Sequence, residues 1–133
     1  MPAIMQTKYR LSDVIKRQGA DLLAEALLRT FLQKVESNLK AQGRYIAIRT
    51  HLRGVTALSS SRKAFMLMDL TRCGFSVVFF TGKGQIPGLA KANWLCAGDN
   101  AGAERYRVTN RPELNKAVGF AMRAWELADR HAA

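Results

Sequence analysis

Six consecutive residues, Phe75-Ser76-Val77-Val78-Phe79-Phe80, narrow the choice of fold more than any other stretch of this chain. In an extended strand successive side chains point to opposite faces, and here both faces are apolar. Such a strand belongs in the middle of a sheet with both faces covered. Three strands precede it. RYIAIRT, 44–50, alternates: Ile46 and Ile48 point one way, Tyr45, Ala47 and Arg49 the other. Val55–Leu58 is the second strand and 63–70, rich in Met and Phe, the third. Arg53-Gly54, Ser59-Ser60-Ser61-Arg62 and Cys73-Gly74 read as turns. A last strand, 104–109, sets Tyr106 and Val108 on one face and Arg105 and Arg107 on the other.

Helical periodicity brackets these strands. Ser12 is positioned to cap a short helix over 13–18, which Gly19 ends in a left-handed conformation. A longer helix follows over 21–42. Leu23, Leu27, Phe31, Val35 and Leu39 recur every four residues, Leu28 and Leu32 widen the stripe, and Gly43 stops it. Asn110, with Glu113 three residues on and Pro112 in the first turn, opens a terminal helix. Its buried face should carry Leu114, Val118, Ala121, Met122, Trp125 and Ala128.

Connections of about two to five residues favour hairpins over parallel crossovers. The expected class is therefore α+β, a small antiparallel sheet of four to five strands packed against a long N-terminal and a long C-terminal helix. One domain is expected over 1–133, with an arm or edge segment at 1–11 and a glycine-rich loop at 82–103.

Three stretches, YIAIRTHLRGVTAL at 45–58, KAFMLMDL at 63–70 and RYRVTNRPELNKAVGFAMRAWELA at 105–128, carry a family likeness. Over roughly 22–130 the chain resembles an uncharacterised bacterial domain of unknown function. That domain is found alone or at the C-terminus of larger proteins, some described as predicted transport proteins or associated with endonuclease modules. The resemblance implies the same α+β fold and transfers no active site. The glycine-rich segment departs from the family pattern.

The loop TGKGQIPG, 81–88, raises the question of a phosphate site. A Walker A loop needs GxxxxGK[ST], so that backbone N–H groups wrap the phosphates before the lysine reaches in. Here Lys83 falls between Gly82 and Gly84, and Pro87 occupies the third glycine position of GxGxxG. The loop reads as a connector in which Lys83 contacts phosphate at most. A restriction-type nuclease would need an Asp and a Glu-x-Lys triplet to hold Mg²⁺. Asp69 with Glu104-Arg105-Tyr106 lacks the lysine. Cys73 and Cys96 lie without a CxxC or a nearby histidine, and His51 and His131 are far apart in sequence. No metal, cofactor or catalytic residue is expected, and the chain reads as non-enzymatic.

Charge is the remaining signal. Twenty-one Lys and Arg face ten Asp and Glu, a formal net charge of +11, and thirteen of the cations are Arg. Arginine offers planar, bidentate contacts to phosphate. The expected partner is nucleic acid, held weakly and without strong sequence preference by Tyr45, Arg49, Arg53, Lys83, Arg105 and Arg107, provided the strands bearing them lie near each other. The alternative is an acidic protein partner or a homodimer mate, which an exposed apolar patch around Met66, Met68 and Trp94 would favour. No signal-peptide core or membrane-length apolar run is present, so a cytoplasmic location with reduced cysteines and no membrane contact is expected.

Overall fold

The computed structural model describes residues 3–5, 10–51, 54–58, 64–80, 90–91 and 103–132, and the side chains of 10–50, 54–57, 64–80 and 104–127. In chain order the elements are β1 (Ala3–Met5), α1 (Leu11–Arg17), α2 (Leu22–Ala41), β2 (Ala47–His51), β3 (Gly54–Leu58) and β4 (Ala64–Leu70). They continue with β5 (Phe75–Phe80), β6 (Ala90–Lys91), β7 (Ala103–Val108) and α3 (Arg111–Ala132).

The sheet order is β1-β2-β3-β4-β5-β7-β6. Its body, β2 through β5 with β7, is antiparallel throughout. Short β1 joins one edge in parallel, and two-residue β6 pairs with β7 at the other. The protein is α+β, with α2 and α3 flanking the sheet. β5 lies between β4 and β7 as its apolar pattern requires, and five of its six residues are buried.

Alternation along β5 separates two layers. Phe75, Val77 and Phe79 enter the main core with α2 and α3, while Val78 joins Leu67 and Phe80 in a small separate cluster. Phe31 of α2 packs against Phe75 at 5.2 Å between ring centroids, and Phe120 of α3 meets Phe79 edge-on at 6.4 Å. Both long helices therefore cover the same face.

Local signals place the helix ends. Asp21 Oδ1 accepts from Ala24 N–H at 2.8 Å, and Gly43, at φ +70°, closes α2. Asn110 Oδ1 accepts from Glu113 N–H at 2.9 Å. Glu113 reaches back one residue beyond the usual capping box, accepting from both the N–H (2.9 Å) and the hydroxyl (2.7 Å) of Thr109.

Several boundaries differ from expectation. α1 starts at Leu11 with Arg10 in the cap position and no side-chain cap, so Ser12 lies inside the first turn. Leu11 and Ile15, one turn apart, are both buried in the core, and that packing rather than a cap sets the start. β2 begins at Ala47 rather than 44, and Gly54 is the first residue of β3 rather than part of the turn. Leu23 is 55% exposed. The inward face of α2 centres on Ala24, Leu28, Phe31, Leu32 and Val35, all fully buried, and Leu23 lies about 100° of helical rotation before Ala24.

Candidate nucleic-acid interface

On β2, Ile48 and Thr50 are buried toward the helices, which leaves Arg49 on the opposite face. On β7, Val108 is buried in the same core and Tyr106 packs its ring against Phe120 at 5.0 Å. Arg105 and Arg107 consequently project from the face opposite α2 and α3, at whose centre Leu67, Ser76 and Val78 are buried. Register links Arg49 to Arg105 in one row across the sheet: Arg49, Thr56, Leu67, Val78, Arg105. A second row runs Asp69, Ser76, Arg107.

The two strands are not neighbours. β3, β4 and β5 stand between β2 and β7, so four strand spacings put Arg49 and Arg105 about 19 Å apart at the backbone. The arginines share a face but flank an apolar centre rather than forming one cluster. Arg107 is exposed. Arg49 and Arg105 are half-buried, and the Nε of each lacks a hydrogen-bond partner. An unpaired buried guanidinium nitrogen carries a desolvation cost that an anion bound there would relieve.

Asp69 is the one carboxylate among the described residues of this face. Its pKa is pushed up by burial, an effect partly opposed by Arg105. Gly54 leaves the room it occupies: a β-carbon at position 54 would lie 3.0 Å from Asp69 Oδ1 and 2.6 Å from the Met68 carbonyl oxygen.

Tyr45 precedes β2 and is 73% exposed. Its backbone is anchored, because Trp125 Nε1 donates to the Tyr45 carbonyl at 2.9 Å. Arg44 stacks over the Trp125 ring at 4.7 Å and pairs with Glu126 at 3.4 Å. Arg53, Lys83, Trp94, Cys96 and most of the 82–103 segment lie outside the described residues, as do the side chains of His51 and His131.

The carboxylates considered for a nuclease centre do not converge. Glu104 pairs with Phe79 on the helix side, whereas Asp69 pairs with Ser76 on the other. The alternation that places Tyr106 and Val108 also places Glu104, whereas the face of Asp69, in a strand apolar on both sides, follows from the register. Glu104 is buried and its Oε1 has no hydrogen-bond partner. Among the described residues no three His, Cys, Asp or Glu gather as metal ligands. Met66 and Met68 are fully buried, and among the described residues the exposed large hydrophobic ones are Leu22, Leu23 and Tyr45.

In comparisons with known proteins, no family model, no curated protein and no solved structure matches the chain. Among the described residues no helix is long and apolar enough to cross a membrane.

Proposed function

We propose that the protein is a cytoplasmic, non-enzymatic module that binds the nucleic-acid backbone weakly, with little sequence preference, through the sheet face bearing Arg49, Arg105 and Arg107. The observation that carries this reading is how charge is distributed and paired. The segment 44–109 holds ten Lys and Arg against three Asp and Glu, +7 of the +11. Among the described residues the ion pairs, Arg29–Glu25, Arg44–Glu126 and Arg123–Glu126, all involve helical carboxylates. None engages Arg49, Arg105 or Arg107.

The separation of about 19 Å between Arg49 and Arg105 lets them meet separate phosphates of one duplex, whose backbone carries a charge for every ~3.4 Å of helix axis per strand. Cations at the two flanks of a sheet face whose centre, Leu67 and Val78, is buried suit positioning contacts rather than base readout. Tyr45, exposed beside β2, adds a ring on which an unpaired base could stack. Lys83 and Arg53 complete the proposed contact set.

Fluorescence anisotropy with a labelled duplex across a salt series tests the proposal. Engagement of about four to six phosphates gives a log–log slope near −4 to −5, with most affinity gone by about 200 mM salt. Failure to bind either duplex or single strands at about 50 mM salt would overturn it.

A further inference from the structure

The helical layer carries a second surface, unrelated to the arginine face. A groove of about 560 Å³ runs between α2 and α3, with Thr30, Lys34 and Asn38 on one wall and Asn115 on the other. A smaller pocket of about 140 Å³, lined by Leu23, Ala26, Leu27, Leu114 and Arg111, adjoins it. The two share Thr30 and Lys34 and so form one continuous channel. From Leu23 to Asn38 it is about 22 Å long, at 1.5 Å per helical residue.

Its chemistry is graded along that length. At the start of α2, Leu22 is 84% exposed and Leu23 55% exposed, beside the apolar pocket. Two adjacent leucines in solvent at a helix start are not explained by the fold, whose inward face passes through Ala24 and Leu28. Further along, the walls carry amides and hydroxyls. Lys34 lines both parts and Arg111 lines the pocket, and among the described residues no Asp or Glu lines either part. Lys34 donates to Asn115 Oδ1 at 3.1 Å, a neutral partner that leaves its charge uncompensated.

We infer that this channel docks an extended acidic segment of a partner protein, with one large apolar side chain anchored in the Leu23–Leu114 pocket and carboxylates on Lys34 and Arg111. A length of about 22 Å accepts six or seven extended residues at ~3.3 Å each. Side-chain amides of Gln33, Asn38 and Asn115 are placed to bond the segment's backbone. Charge complementarity selects the partner: a basic, acid-free groove repels basic segments and favours acidic ones.

The test is selection of a random dodecapeptide phage library on the full chain, followed by calorimetry with the enriched synthetic peptides. Enriched sequences should carry one Leu, Ile, Phe or Trp flanked by Asp or Glu. Leu22→Ser with Leu23→Ser should weaken binding about tenfold or more, and because both leucines are exposed the fold should be retained by circular dichroism. Lys34→Glu with Arg111→Glu should invert the charge preference of the selected peptides. Enrichment of peptides without acidic residues, or binding indifferent to these substitutions, would sink the inference. A concentration-dependent dimer abolished by the leucine substitutions would show instead that a second copy covers the channel. Displacement of the bound peptide by duplex DNA would assign the channel to nucleic acid. Duplex binding that survives the Lys34 and Arg111 reversals leaves the arginine-face reading standing whether or not peptides bind.

Discussion

The indole N–H of Trp125 donates to the carbonyl of Tyr45 across 2.9 Å, tying the middle of α3 to the entrance of β2. The bond joins residues eighty positions apart, and it holds the one exposed aromatic of the proposed interface at its backbone. Trp125→Ala should cost about 3–5 kcal/mol in urea unfolding, through a lower midpoint with unchanged m-value. Trp125→Phe keeps most of the packing and should lose about 1 kcal/mol. A loss under ~1 kcal/mol for the alanine variant would contradict the burial of the ring.

The start of α3 depends on two side chains, Asn110 and Glu113. Asn110→Ala removes the acceptor for Glu113 N–H and should cost about 1 kcal/mol. Hydrogen bonds from the Thr109 hydroxyl and N–H, aided by Lys116, hold the Glu113 carboxyl below its ordinary 4.5. A depressed folded pKa contributes stability that is fully present above the unfolded value and lost as pH falls through the folded one. Glu113→Gln should therefore flatten the acid limb of the stability–pH curve below about pH 4.5, as read by thermal melts.

Two glycines should respond oppositely to alanine. A β-carbon at Gly74 would lie 2.0 Å from the Val108 carbonyl oxygen, backbone against backbone, in a turn already closed by Thr71 and Gly74. Gly74→Ala should destabilise by about 3 kcal/mol. Gly119, exposed on α3 with nothing within 4 Å of the added carbon, should gain about 1 kcal/mol as alanine. Paired denaturation curves decide both.

Asp69 links stability to the arginine face. Its carboxyl pKa is raised from 3.8 by burial, so the folded state favours the protonated form. That contribution is present below the unfolded pKa and is lost as pH rises through the higher folded one. Asp69→Asn should thus be more stable than the parent at pH 7 and indistinguishable from it near pH 3. The same substitution removes the face's one described carboxylate and should tighten duplex binding. An unchanged melting temperature at pH 7 would contradict the desolvation argument.

Binding variants separate the proposed contacts. Arg49→Ala with Arg105→Ala should lower the magnitude of the salt slope by about 2 and weaken all duplex sequences together. Tyr45→Ala should reduce affinity for single strands and leave duplex binding nearly unchanged, because stacking needs an unpaired base. Equal loss on both substrates would remove Tyr45 as a stacking platform.

Much of the architecture was legible along the chain because its causes are local. Gly19 and Gly43 supply the left-handed ends of their helices, and both adopt φ +70°. Asn110 and Glu113 announce α3 through bonds spanning three or four residues. The apolar faces of Phe75–Phe80 require a central strand, and β5 is one. Alternation assigned Arg49, Arg105 and Arg107 to one side of their strands and the core residues beside them to the other.

The pattern of each strand states which way its side chains point, but not which strand lies next to which, and that difference set the candidate site. Only the order β2-β3-β4-β5-β7 separates Arg49 from Arg105 by about 19 Å and sets Leu67 and Val78 between them. The packing of α2 likewise decided that Leu23 faces outward despite its place in a four-residue repeat. A repeat defines a stripe, and the packing partner chooses which edge of that stripe to cover. The sequence by itself determined the helical periods, the glycine stops, the Asn110 cap and the facing of residues along the strands, which arise from contacts between near neighbours in the chain. Strand order, and with it the spacing of the arginines and the groove between α2 and α3, rests on contacts between residues distant in sequence, and only the tertiary structure decided those.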